Sequence, residues 1–311
     1  MLRRPGSFDF KMDIPINAKI EFITQNGDLY VGNVEGNVEL NSSCGNVEVK
    51  DVQNGKVFAE TQNGNITMRG VNIQDFSMEA STAFGDVNVF QVNANQLKLS
   101  VTNGVMNLEN IMVDGLIDLS NDFGSIGYRS GKAENLTINS SNGSITLNGV
   151  TVGNLLVGHT DFGDIEVAET KAAEYDLLSK NGRIELNGAN EAKIKAVTDF
   201  GDIELLNIFA SIIDLETKNG VVTFTGSLKQ DNHRVFSDFG SVIIRMPSTQ
   251  SIDCDIKTGF GQIESDFDIT ISGSIDEKHL SGKINDGGGL LTIETQNGNI
   301  TLEKTTGVEE K

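Results

Sequence analysis

Residues 160–186 read TDFGDIEVAETKAAEYDLLSKNGRIEL, and this stretch decides the architecture. Ile165 and Val167 follow one glycine corner at Gly163; Tyr175 and Leu177 lead into the next at Gly182, and Ile184 and Leu186 leave it. Polar Glu166, Asp176 and Glu185 sit between the apolar positions, so the alternation has the period of two that marks β-strands and not helices. Each unit is a strand, a corner, a second strand and a short linker. The same unit recurs outward in both directions. Gly64, Gly85, Gly104, Gly124, Gly143, Gly163, Gly182, Gly201, Gly220 and Gly240 are its corners, with Gly27, Gly45, Gly261 and Gly298 extending the series.

Self-similarity at a period of about 20 residues is the signature of a solenoid. One module of 19 to 21 residues carries about five apolar side chains, including a linker position such as Val71, Ile111, Val150 or Ile208. It cannot bury them alone, but stacking on its neighbours does. Parallel stacking at about 4.8 Å per coil also satisfies the strand backbones. The expected fold is all-β, a parallel β-solenoid of the single-stranded β-helix kind. A meander of NG hairpins is the competing reading, and it does not explain one apolar phase held through every strand pair.

The corner glycine is expected to need a positive φ, which glycine adopts without a Cβ clash. The residue before it alternates: Asn63, Phe84, Asn103, Phe123, Asn142, Phe162, Asn181, Phe200, Asn219, Phe239. This doubles the repeat to about 39 residues. Because like residues stack well in parallel in-register strands, it favours coils of two modules, with an asparagine file on one edge and a phenylalanine file on the other. Single-module coils with mixed stacking are the alternative. The two differ in whether Gly163 lies one strand spacing from Gly201 or from Gly182.

One solenoid domain is expected over residues 19–304, irregular at 262–292, where Ser281–Ile284 reads as a degenerate module copy. Residues 1–18, with Pro5 and Pro15, are expected to form an N-terminal cap, and residues 305–311 a disordered tail.

The chain has 311 residues, 44 acidic against 24 basic, and a formal net charge of −20, which argues against nucleic acid and anionic membrane surfaces as partners. Such charge keeps an elongated β-protein soluble and favours a monomer. Cys44 and Cys254 lie some ten modules apart, too far in a stacked rod for a disulfide, and are expected as free thiols. No apolar run has the length of a transmembrane segment or of an export signal, so the chain as written reads as cytoplasmic, or as cell-surface if it is part of an exported protein.

The chemistry-bearing motifs reduce to corners. DFG occurs at Asp122–Gly124, Asp161–Gly163, Asp199–Gly201 and Asp238–Gly240, in phase with the repeat and without the phosphate loop or catalytic loop of a kinase. Asp161 with Asp164 and Asp199 with Asp202 are weak cation candidates, because stacked turn carboxylates can gather oxygen ligands; solvated carboxylates capping their own turns are the plainer reading. His159, His233 and His279 fall in different modules, with no triad or metal spacing. No catalytic residue, cofactor site or metal site is expected.

The modules TQNGNITM, TDFGDIEV, TDFGDIEL and TQNGNITL resemble a bacterial, adhesin-labelled family of β-strand-repeat domains of unknown function, over about residues 20–302. That family is similar to right-handed β-helix proteins of cell envelopes. The resemblance implies a non-enzymatic interaction scaffold, with a protein or cell-envelope polymer as partner. A carbohydrate-binding or polysaccharide-active β-helix is the alternative, and exposed aromatics or convergent carboxylates would mark it.

Overall fold

A computed structural model describes residues 11–271 and 276–305. It is an all-β rod without helices among those residues, a parallel β-solenoid of about 12 turns. The expected cap therefore falls partly outside the description, at residues 1–10, as does the expected tail at 306–311; Thr305 itself closes the last strand, Ile300–Thr305.

Each coil is one module, not two. The strand Glu174–Asn181 pairs in parallel with Leu155–Phe162 on one side and with the second half of Ile184–Phe200 on the other, and Phe162, Asn181 and Phe200 are successive rungs. The 39-residue coil is thereby corrected. Its like-on-like files do not form: phenylalanine and asparagine stack on one another along a single edge.

The reason lies in the corner glycines. A Cβ on Gly182 would meet the carbonyl oxygen of Gly163 at far less than 3.0 Å; one on Gly201 would meet that of Gly182 in the same way, and one on Gly220 that of Gly201. Each corner carbonyl occupies the space where the next corner's side chain would start. Only glycine stacked on glycine every 19 to 21 residues fits, and this outweighs any gain from stacking like residues two apart. Positive φ holds at Gly124, with φ 133°, but Gly182 lies outside that region, so close approach is the common requirement and conformation is not.

A second row fixes the corner. Three residues before most corner glycines, a buried hydroxyl donates to the carbonyl of the preceding corner: Ser179 to Gly163 at 2.9 Å, Thr198 to Gly182 at 3.0 Å and Thr217 to Gly201 at 2.9 Å, whereas Val101 has no hydroxyl and Ser140 Oγ makes no such bond. Asn121 donates to the Gly104 carbonyl through Nδ2 instead. Where the row supplies a donor, the stacked corner carbonyl is satisfied without water.

Past the second strand, one residue in the left-handed conformation bends the chain, as at Asn33, Asp51, Asn110 and Asn207 with φ of 50° to 58°. The next residue turns inward: Val34, Val52, Ile111 and Ile208 are buried, as are Val71 and Val150. Together with the strand positions they make one continuous core along the axis. At the N-terminal end Ile14 packs against that core, and Ala18 donates to Pro15 O in the turn that enters the first strand.

The C-terminal end departs from sequence order. The strand Asn232–Phe239 pairs with Leu290–Asn297, which pairs with Ile252–Thr258, and Val242–Pro247 likewise pairs with Ile300–Thr305. The final module is therefore inserted between two coils that precede it. The glycine file says the same, running Gly240, Gly298, Gly261. Ser281–Ile284 is not a degenerate module: it belongs to His279–Ile284, antiparallel to Ile252–Thr258 and to Ile269–Ile271. This hairpin covers the last pre-corner strand and blunts an edge that would otherwise accept another strand.

Candidate interaction edge

The residue before each corner glycine lies at the outer edge of the rod. Phe84, Phe123, Phe162, Phe200 and Phe239 occupy every second rung there, each 54–59% exposed, and each is paired in register with asparagines. Phe260 continues the series beyond Asn297, its N–H donating to Gln296 O. Three of the asparagines, Asn63, Asn142 and Asn181, are tied back to the coil below. Asn181 Nδ2 donates to Asp161 O at 3.2 Å, and Asn142 Nδ2 to Asp122 O at 3.4 Å. Phenylalanines so exposed, in single file and separated by amides, have no partner in the fold; a folded chain ordinarily covers such rings.

The flanking row alternates in charge along part of its length. Lys180 Nζ reaches Asp161 at 2.7 Å and Lys218 reaches Asp199 at 2.6 Å. These contacts raise the Lys218 pKa, through its hydrogen bond to Asp199 first and the charges of Asp199, Asp238 and Glu216 after it. The four cation candidates thus have protein partners. Asp161 and Asp199 hold these lysines, while Asp164 Oδ1 accepts from Arg183 N at 2.8 Å and Asp202 Oδ1 from Val221 N at 2.7 Å. Asp28, Asn46, Asn65 and Asp86 repeat this second role in the N-terminal coils. The structure uses Asp164 and Asp202 to join coils, and among the described residues no three acidic, histidine or cysteine side chains gather as metal ligands.

Beside the edge lies an open groove of about 320 Å³ crossing four coils, lined by Asn121, Asp122, Ser140, His159, Asp161 and Lys180 among others. Asn121 and Ser140 are buried, at 1% and 8% exposure, yet Asn121 Oδ1 and Ser140 Oγ have no hydrogen-bond partner, nor has His159 Nε2. Buried polar atoms are almost always paired; Asp253 Oδ1 is a lone exception elsewhere on the rod, whereas this trio clusters and marks the groove as a polar wall left incomplete.

The other two histidines are elsewhere. His233 is buried, its Nε2 facing Lys229 O at 2.8 Å and its Nδ1 accepting from Ile213 N at 3.3 Å, which fixes one neutral tautomer. Burial lowers its pKa, against the opposing pull of the Lys229 carbonyl and Asp231. His279 faces Asp255 at 2.5 Å in the end hairpin. Cys44 is exposed and Cys254 buried, both free, and burial pushes the Cys254 thiol up to about 11.

The sequence pointed to the phenylalanine file but put it on an edge of its own. It did not mark the groove: Ser140 is the same residue type as the bonded Ser179, and Asn121 still bonds the preceding corner through Nδ2.

Fold and edge define a class: a single-module parallel β-solenoid with an aromatic corner edge. The model of the Toastrack DUF4097 family matches residues 10–126 and 120–303, and the chain belongs to that family. No curated protein and no solved structure matches it. No helix among the described residues is long and apolar enough to cross a membrane.

Proposed function

We propose that this chain is a non-enzymatic binding scaffold that presents its corner edge to an elongated partner, a protein or a cell-envelope polymer. The observation that carries this reading is the file of five phenylalanines, each more than half exposed, on every second rung of a rod whose other large apolar residues are mainly inside. A solenoid gains extended binding surface by repetition, and equally spaced aromatic rings are the anchors such a surface uses. The scaffold reading is preferred to a catalytic one because the histidines serve separate places and Asp161 and Asp199 are held by lysines.

The test compares the wild-type chain with Phe162→Ser/Phe200→Ser on arrays of glycans and envelope proteins. Specific wild-type binding that the variant loses, at unchanged thermal stability, is the expected result. Binding retained in full by the variant would refute the assignment of the edge.

A further inference from the structure

We infer that the ligand of this edge is a neutral, extended β-1,4-linked glycan, a reading that rests on the binding role of the corner file. Two coils of a parallel solenoid advance about 10 Å. The exposed phenylalanines therefore recur at close to the disaccharide length of such a glycan, in which successive rings are turned over and like faces return at every second sugar. A ring face on each phenylalanine places the intervening sugar over an asparagine coil, where a carboxamide can exchange hydrogen bonds with its hydroxyls. Rings binding the apolar face of a pyranose, with a few polar groups fixing its orientation, are what a sugar site requires.

The groove supplies an independent observation. It lies against the coils of Phe123 and Phe162, and its wall holds Asn121 Oδ1 and Ser140 Oγ, buried and unpartnered, beside the carboxylates of Asp122 and Asp161. With Lys180 holding Asp161 in the same wall, the groove offers both acceptors and donors, which suits a ligand rich in hydroxyls that donate and accept alike. The formal charge of −20 selects against uronic-acid, sulfated and phosphate polymers, and leaves neutral ones. The groove then seats one sugar substituent to the side of the chain that lies on the phenylalanines.

The experiment measures retention of the full chain on insoluble cellulose, chitin and xylan, with α-linked dextran as the control, and titrates cellohexaose and chitohexaose in solution. Wild type is expected to be retained on at least one β-1,4-linked polymer and not on dextran. Phe162→Ser/Phe200→Ser should weaken that retention at least about tenfold, corresponding to about 1.4 kcal/mol or more. Ser140→Ala tests the groove and should weaken binding without changing the polymer preferred. Because the phenylalanines are exposed, an unchanged melting temperature separates lost binding from lost folding. No retention on any β-1,4-linked polymer, or retention indifferent to both variants, overturns the glycan. If instead light scattering shows a concentration-dependent dimer that the phenylalanine variant abolishes, the edge is still a binding surface but its partner is a second copy of the chain, and the glycan assignment falls alone.

Discussion

Replacing Gly182 by alanine should cost far more than the same change at Gly127, although both glycines sit on coil backbones and both changes add one methyl. At Gly182 the new Cβ would lie far inside contact distance of Gly163 O and C, with Asp164 Oδ1 at 3.0 Å. The obstacle is backbone and cannot rotate away. The two coils must part locally, which strains Arg183 N to Asp164 Oδ1, now 2.8 Å, and Ser179 Oγ to Gly163 O, now 2.9 Å. Overpacking of this kind costs about 1–3 kcal/mol, and each of the two weakened hydrogen bonds about 0.5–1.5 kcal/mol, so a loss of roughly 2–6 kcal/mol is expected. At Gly127 the nearest atom to an added Cβ is Asn107 Oδ1 at 3.8 Å, an ordinary contact, and φ is not left-handed. There alanine should be neutral or should stabilise by about 0.4–1 kcal/mol through the unfolded chain. Urea unfolding followed by far-ultraviolet circular dichroism gives both values, and amide exchange shows whether the damage centres on the coils of Gly163 and Gly182. Equal effects at the two glycines, or no effect at Gly182, would refute stacked-carbonyl exclusion as the reason for the glycine file.

Thr198→Val should cost about 0.5–1.5 kcal/mol in the same assay, because the Gly182 carbonyl loses the hydroxyl that satisfies it while the volume stays the same. Acidification tests His233: its folded pKa is lowered by burial, so between that value and the ordinary one near 6.5 the unfolded chain binds the extra proton. Its contribution is full above about pH 6.5 and is lost as pH falls below it, and His233→Phe should flatten that part of the profile. Ending the chain after Asp286 removes the module between Asn232–Phe239 and Ile252–Thr258, so amide exchange should speed up through 232–284 while coils near Gly104 stay protected; uniform exchange would contradict the inserted order.

The glycine period and the strand alternation were enough to read a parallel β-solenoid from the residues alone, because each module repeats the same local physics. The size of the coil was not legible. Asn181 and Phe200 carry a 39-residue signal and Gly182 and Gly201 a 20-residue one, and only the position of the Gly182 carbonyl, where the Gly201 Cβ would be, decides between them. The row of Ser179, Thr198 and Thr217 has its partners in the preceding coil, and its role becomes evident only once the stacking is known. The C-terminal order could not be read either. Thr295 and Gly298 make an ordinary module, and nothing local says that it fills a gap left earlier in the chain. The groove depends on two unpaired atoms, Asn121 Oδ1 and Ser140 Oγ, and pairing is a property of neighbours and not of residue type.

Single-module stacking is the claim on which the phenylalanine edge depends, and cysteine cross-linking tests it most directly. In a Cys44→Ser background, Asn181→Cys/Phe200→Cys places two thiols on adjacent rungs, about 4.8 Å apart along the axis, within disulfide reach, whereas Phe162→Cys/Phe200→Cys places them two rungs apart, beyond it. Rapid oxidation of the first pair and none of the second is the predicted result. Cross-linking of Phe162→Cys to Phe200→Cys, with Asn181→Cys left free, would mean two modules per coil and would remove the alternating edge.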